Sequence, residues 1–276
     1  MSGMTWAAKC DHGPRWHDGT EPFAASAPAS SRAWLLIEHP GPWPRQPAEA
    51  PLPRPLRRAV DAAGTLGIRV QLIRRPHRRS DPAGPGRRPP APDRSWGRVP
   101  IPFEVYAGWS AGRHPWLRRG RLHEPGDVDG LDLARLARGL PGTFGEPAAG
   151  PLLLVCTHGR RNMCCARLGR PLASELAERH GAAVWETSHV GGDRHAANLV
   201  ILPHGLYYGP VDPPTADSAI GAYLRDEVIL ERYRGRAGQS ENSQATEHLI
   251  RELTGLRGID DVTAEADARD GWSDAR

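Results

Sequence analysis

Twice in this sequence, a short apolar segment typical of a strand is followed by a helical pattern and then by another strand pattern. In the first half these segments are residues 33–39, 55–67 and 68–75, and in the second half they are residues 151–156, 170–181 and 182–188. The strand segments are short and rich in Leu, Ile and Val, whereas apolar residues recur every three or four positions in the helical segments. Helices and strands that alternate in this way predict an α/β fold, or an α+β sandwich.

The second half extends this pattern and is set apart from the first by a loop of Pro and Gly at residues 141–151. Two further strand patterns follow one another so closely that they predict an antiparallel hairpin, at residues 198–203 and 205–209. We therefore predict a smaller α/β N-terminal region over residues 1–147 with a Pro- and Arg-rich linker at 74–98, a second domain over 148–257, and a disordered tail over 258–276.

A last helical pattern precedes the tail. Its apolar residues share one face and are Ala245, Leu249, Ile250 and Leu253. Glu247 and Arg251 lie one helical turn apart in the same segment, which predicts an ion pair.

The composition narrows the class of protein. No run of eighteen apolar residues is present, and the first residues lack the apolar core of a signal peptide, so we expect a cytoplasmic protein without a membrane partner. The net charge is +4, but Lys9 is the only lysine, and the densest run of arginines contains no interleaved aromatic residues. We therefore do not predict a nucleic-acid partner.

Cysteine and histidine residues cluster at the ends of two predicted strands. Three of the four cysteines lie in "CTHGRRNMCCA" (156–166), and Cys10 lies far upstream. The segment "SHVGGDRHAAN" (188–198) follows the next predicted strand and carries His189, Asp193 and His195. Functional groups commonly gather at the carboxyl ends of strands in α/β folds, so we predict that these two loops form one site.

The residues alone leave several kinds of site open. A phosphatase loop requires Cys and Arg separated by five residues, and that spacing from Cys156 leads to Asn162, so we exclude it. A thiol oxidoreductase using Cys156 and Cys165 remains open, although no Cys-x-x-Cys motif is present. A structural zinc site remains open as well. We predict that Cys164, a small residue of a type often buried, belongs to the core.

These loops, together with "VWETSHVGGDRHAANLVILPHGLYYG" (184–209), resemble the sucrase/ferredoxin-like family, a group of thioredoxin-like ferredoxins that includes fungal proteins. The resemblance is densest over residues 151–209 and implies a thioredoxin-like C-terminal half. It also implies a [2Fe–2S] cluster held by a Cys-x8-Cys pair and a His-x3-His pair. On this chain the pattern matches Cys156, Cys165 and His189, but its second histidine falls on Asp193.

The fourth ligand is therefore a departure from the family pattern. A carboxylate is a suitable ligand for ferric iron, and we expect Asp193 to take that place, with His195 as the alternative, because the two glycines before Asp193 set the loop length that reaches the metal there. The resemblance implies an electron carrier rather than a stand-alone enzyme, with a reductase and an unidentified acceptor as redox partners. A metal-free thioredoxin-like thiol oxidoreductase and a structural zinc site are the alternative functions.

Overall fold

The computed structural model of the protein describes residues 23–77 and 102–262. The strands are β1 (Ala33–Glu38), β2 (Arg69–Arg74), β3 (Phe103–Trp109), β4 (Trp116–Leu122), β5 (Glu146–Pro147), β6 (Leu152–Cys156), β7 (Val184–Thr187), β8 (Leu199–Leu202), β9 (Leu206–Tyr208) and β10 (Tyr233–Arg236). The helices are α1 (Arg54–Thr65), α2 (Leu133–Ala137), α3 (Met163–His180), α4 (Pro213–Tyr223) and α5 (Glu241–Thr254). Cys10, most of the predicted linker and the end of the predicted tail lie outside the described residues.

These ten strands form one curled sheet in the order β10-β9-β8-β6-β7-β2-β1-β3-β4-β5. In each half the first two strands are parallel and the next three continue the sheet with antiparallel pairings. The mixed α/β fold is thus confirmed, and the predicted hairpin is β8 and β9. The N-terminal half was predicted to be the smaller one, but it contributes as many strands as the C-terminal half.

The two halves meet at β2 and β7, which pair antiparallel through Ile73 with Thr187 and Arg74 with Glu186. The Arg74 guanidinium also donates to the Glu186 carboxylate at 2.6 and 2.8 Å, and the Thr157 hydroxyl donates to the same oxygen at 2.8 Å. Because Thr157 follows Cys156 directly, this network connects the N-terminal half to the end of β6.

The apolar residues divide between the two faces of the sheet. Helices α1 and α2 cover one face in the first half, and α3 and α4 cover the same side in the second half. The other face is the inside of the curl and forms a central cluster whose largest members include Trp34, Trp185 and Tyr207. Cys156, Cys164 and Cys165 belong to this central cluster, so the predicted core position of Cys164 agrees with its 2% exposure.

Helix α5 turns its polar side inward. Glu247 and Arg251 are fully buried and form the predicted ion pair, with Arg251 Nε donating to Glu247 Oε1 at 3.0 Å. Arg236 of β10 donates to the same oxygen at 3.2 Å. The apolar side faces outward, and Leu253 is 77% exposed. The predicted apolar face of this helix therefore lies toward solvent, and the ion network lies toward the core.

No helix in the described part of the chain has the length and apolar character needed to cross a membrane.

Candidate metal centre

Strand β6 delivers Cys156 to the site from the core. All five residues of β6 are buried, and Cys156 is 0% exposed. Helix α3 packs closely against this strand because Gly169 has no side chain: a Cβ there would lie 2.0 Å from the Cys156 carbonyl oxygen. The close approach of helix and strand brings the first turn of α3 to the end of β6.

Helix α3 begins at Met163, seven residues before the start predicted at residue 170, and Pro171 lies inside it. Asn162 caps the helix, since its side-chain oxygen accepts from the backbone N–H of Cys164 at 2.8 Å. Cys165, expected in a loop, is therefore the third residue of a helix and is 0% exposed. A cysteine fixed on a helix has a defined position relative to Cys156.

The parallel pairing of β6 with β7 brings the third donor into place. Cys156 pairs with Thr187 in the sheet, and His189 follows two residues later. The sulfurs of Cys156 and Cys165 and a ring nitrogen of His189 all lie within 4.8 Å of one another. Cys165 Sγ is 4.0 Å from His189 Nδ1. Among the described residues this is the one such group of Cys, His, Asp or Glu donors.

The two sulfurs differ in their affinity for a proton. Hydrogen bonds directed at Cys156, from Cys165 first and also from His189, hold the pKa of its thiol well below its ordinary value despite burial. The pKa of Cys165 is raised by its hydrogen bond with Cys156, by burial, and by the charges of Cys156 and Asp193. These hydrogen bonds favour the thiolate form of the buried Cys156, and the thiolate is the form of cysteine that binds metals.

His189 is held in place through its main chain. Its N–H donates to Nδ1 of His158 at 3.1 Å, and its carbonyl oxygen accepts from Gln71 Nε2 and Arg69 Nη2 at 3.2 Å each. The His158 ring is 2% exposed and packs edge-on against Trp43, with 6.0 Å between ring centroids. Burial lowers the pKa of His158, which keeps Nδ1 available as an acceptor.

Sequence reasoning assigned no role to His158, Gln71 or Arg69. The sequence offered one signal for His158: it lies two residues beyond a predicted strand that ends in Cys156. Gln71 and Arg69 come from β2, and only the pairing of β2 with β7 brings them to His189.

Asp193 and His195 lie beside the group of three rather than in it. Asp193 Oδ2 accepts from Asn162 Nδ2 at 2.6 Å, so the carboxylate is tied to the cap of α3. Its negative charge contributes to the raised pKa of Cys165. His195 is 2% exposed, and its Nε2 accepts from Arg194 Nε at 3.2 Å.

Hydrogen bonds from Asn198 hold the loop that carries Asp193 in place. Asn198 donates through Nδ2 to the Gly192 carbonyl at 2.9 Å, and its side-chain oxygen accepts from Arg234 at 2.6 Å. Gly192 has φ of 69°, and a Cβ there would lie 2.1 Å from Arg234 Nη2. Glycine is therefore required for the loop to pass over the buried Arg234.

The residues between the two cysteines form a basic surface. Arg160 and Arg161 are exposed and lie on the loop that joins Cys156 to α3. In the described part of the chain, no carboxylate forms an ion pair with either guanidinium. The segment from Thr157 to Leu172 contains no acidic residue.

Comparison with known proteins adds a family to this geometry. Residues 104–235, from β3 to β10, match the profile of the family described as Sucrase/ferredoxin-like. A protein of Meyerozyma guilliermondii named "Altered inheritance of mitochondria protein 32" is 30% identical over 95 residues, which cover 30% of this chain and 34% of the relative. The protein of the same name from Eremothecium gossypii is 27% identical over 155 residues, covering 48% of this chain and 49% of the relative.

The chain thus spans between about a third and a half of the length of these curated relatives. No solved structure matches it. The matched segment contains both cysteines, His189 and Asp193, together with the strands that position them. Residues 104–235 are thus similar to the sucrase/ferredoxin-like family, the family that the sequence motifs resemble.

Proposed function

We propose that the protein is an electron carrier whose [2Fe–2S] cluster is held by Cys156, Cys165, His189 and Asp193. The observation that carries this proposal is the convergence of two sulfurs and an imidazole nitrogen within 4.8 Å at the ends of two parallel strands. When bound, such a cluster accepts and donates single electrons.

The donors present fit an iron–sulfur group. Thiolate and imidazole are the ligand types that iron–sulfur centres with mixed ligation use. Burial of both sulfurs keeps water away, and the hydrogen bonds that lower the pKa of Cys156 favour the thiolate that a metal binds. His189 Nδ1 faces Cys165 Sγ, so one imidazole nitrogen is already directed into the site.

Asp193 is the better fourth ligand of the two alternatives. Its carboxylate is close enough to the cysteines to raise the pKa of Cys165, and Asn162 holds it beside the start of α3. His195 instead directs Nε2 to Arg194. A carboxylate ligand carries a negative charge that imidazole lacks, so we expect a reduction potential below that of a site with two histidines and above the roughly −400 mV of all-cysteine plant-type clusters.

Thiol–disulfide exchange is the second candidate, favoured by the unequal pKa values of Cys156 and Cys165. Such exchange requires a thiolate to attack a substrate sulfur directly, which depends on access. Both cysteines are 0% exposed, so a disulfide substrate cannot reach either sulfur without rearrangement of the loops above them. Electrons need no such contact, which favours the carrier.

The surroundings support the remaining parts of the proposal. The order β7-β6-β8-β9 followed by α4 supports a thioredoxin-like arrangement for the C-terminal half. Exposed Arg160 and Arg161 favour a reductase and an acceptor with acidic docking faces. The relatives are named for the inheritance of mitochondria; for this chain we propose the cytoplasm, where a reducing environment preserves free thiols such as Cys156 and Cys165.

The test is a visible absorption spectrum of protein purified without oxygen, with iron and acid-labile sulfide assayed on the same sample. We expect a coloured protein with equal amounts of iron and sulfide. A colourless protein that contains zinc would support a structural zinc site instead. A metal-free protein that reduces disulfides after attempted reconstitution would support the thiol oxidoreductase.

A further inference from the structure

We propose that Gln71, on β2 of the N-terminal half, is a positioning residue for the candidate metal ligand His189. The inference rests on the proposed function, because it concerns how the chain holds one ligand of that site. The family match begins at residue 104, so Gln71 lies outside the segment that identifies the family. It gives the N-terminal half a defined role in the metal centre.

Gln71 contacts three successive residues at the end of β7. Its side-chain oxygen accepts from the hydroxyls of Ser188 at 2.5 Å and Thr187 at 3.3 Å, and its side-chain nitrogen donates to the His189 carbonyl at 3.2 Å. The residue is 2% exposed. A buried amide that uses both its ends on one short segment fixes the path of that segment more strongly than a single contact does.

Hydrogen bonds between β2 and the residue that follows β7 reinforce this contact. Ser188 donates its N–H to the Leu72 carbonyl at 2.8 Å, and the Leu72 N–H donates to the Ser188 hydroxyl at 3.0 Å. The two halves therefore exchange hydrogen bonds at the residue before His189. With His158 holding the N–H of His189 from the other side, its main chain has little freedom.

Residues that orient a metal ligand affect affinity although they never touch the metal. Changing such partners typically lowers metal affinity about 10- to 100-fold. The Gln71 amide acts through the main chain of His189, so its loss should leave the two cysteines in place and release the imidazole. The expected result is weaker metal binding with an altered nitrogen contribution.

The experiment uses the full-length metal-free protein with Co²⁺ as the probe. Gln71→Met replaces the amide by an unbranched apolar side chain of similar size. We expect about 10- to 100-fold weaker Co²⁺ binding, followed by the thiolate-to-cobalt absorption bands, and faster amide hydrogen exchange at residues 188–190. Gln71→Glu, which retains an oxygen for Ser188 but loses the donor to His189, serves as a second variant if the first fails to fold.

Gln244→Met is the matched control, because Gln244 is also a buried glutamine and bonds at both ends, to Ala27 and to Gln239. This control should lower stability to a similar degree while leaving Co²⁺ affinity unchanged. Wild-type Co²⁺ affinity or unchanged exchange at residues 188–190 in the Gln71 variants would overturn the proposal. A wild-type protein that binds Co²⁺ in this way but never acquires iron and sulfide would instead refute the proposed function alone.

Discussion

At the scale of single residues, the centre depends on which of two adjacent cysteines faces Cys156. Cys164 and Cys165 are both buried in the same apolar cluster, but only the sulfur of Cys165 joins Cys156 and His189. The rotation of about 100° between successive helix residues gives the two side chains different directions. Two neighbouring residues of one type therefore have different roles.

This difference gives a prediction with a built-in control. Cys165→Ala should abolish binding of iron and sulfide, because it removes one of the two sulfur donors of the candidate metal centre. Cys164→Ala should retain iron and sulfide, because Cys164 is not among the three donors, and should lower the free energy of unfolding by about 2–4 kcal/mol through loss of its disulfide and its packing. Metal analysis and denaturant unfolding of the two variants check this. Loss of iron in Cys164→Ala alone would contradict the assignment.

At the scale of elements, the centre depends on how closely α3 approaches β6. That approach is possible because Gly169 stands where any side chain would meet the Cys156 carbonyl. The helix must therefore carry glycine at this position, although glycine costs roughly 0.5–1 kcal/mol relative to alanine inside a helix.

Gly169→Ala should consequently destabilise the protein by about 1–3 kcal/mol and weaken metal binding, since the helix has to move away from β6. Gly64→Ala in α1 is the matched control, because a Cβ there meets nothing within 4 Å. That variant should be neutral or more stable by up to about 1 kcal/mol. Urea unfolding of both variants measures the difference, and equal effects would show that the contact does not matter.

Much of the secondary structure could be predicted from the sequence, because the strands are short apolar runs that carry a local signal. The start of α3 could not, since Pro171 suggests a first turn and the capping by Asn162 is visible only in three dimensions. The inward direction of the ion network of α5 could not be predicted for a similar reason, because its partner Arg236 lies on a separate element, β10.

The candidate site shows the same division. The positions of the strand ends and the family resemblance predict that Cys156, Cys165 and His189 lie close together. The structure places their donor atoms within 4.8 Å of one another. The support from Gln71 and Arg69 depends on the antiparallel pairing of β2 with β7, which joins residues more than a hundred positions apart. Local patterns carry no information about such a pairing.

At the scale of the whole molecule, the two halves share a strand order, but among the described residues the group of Cys and His donors lies in the C-terminal half alone. Glu38 ends β1 as Cys156 ends β6, and its carboxylate accepts from the N–H of Glu104 at 2.9 Å. Burial raises the pKa of Glu38. The N-terminal half therefore places a hydrogen-bonded carboxyl group where the C-terminal half places the Cys156 thiol, and its residues Arg69 and Gln71 contact His189.

The charge around the centre should control the rate of electron exchange. Arg160→Glu with Arg161→Glu should slow oxidation of the reduced protein by hexacyanoferrate(III) about tenfold at low salt, because the anion loses its attraction to the loop. Arg54→Glu with Arg138→Glu makes the same change in net charge at exposed positions, at the start of α1 and directly after α2, and it should have little effect. Stopped-flow measurement of the oxidation rates at low and high salt tests this prediction. Equal slowing in both pairs of variants would show that the net charge of the protein, and not the position of Arg160 and Arg161, controls the rate.

Buried histidines make the stability of the fold depend on pH. Burial lowers the pKa of His39 to about 4 and that of His204 to about 4. Unfolded histidines bind protons near pH 6.5, so the unfolded state holds more protons between pH 6.5 and 4. The free energy of unfolding should therefore fall as pH falls through this window, by at most about 1.4 kcal/mol per pH unit for each histidine.

Urea unfolding at several pH values between 7 and 5 measures this loss. His39→Gln should show a shallower loss than the wild type, because one histidine with a lowered pKa is gone while the amide oxygen can still accept from Gly41, as His39 Nδ1 does at 2.8 Å. An identical pH dependence in the variant would remove His39 from the explanation.

The most direct test of the mixed ligation is pulsed EPR of the reduced protein with ¹⁵N-labelled histidine. We predict one strongly coupled histidine nitrogen, lost in His189→Ala and retained in His195→Gln, because the structure directs a single imidazole at the two sulfurs. Two coupled nitrogens would mean that His195 or His158 replaces Asp193 as a ligand. No coupled nitrogen in a protein that holds iron and sulfide would contradict the assignment of His189 and with it the proposed centre.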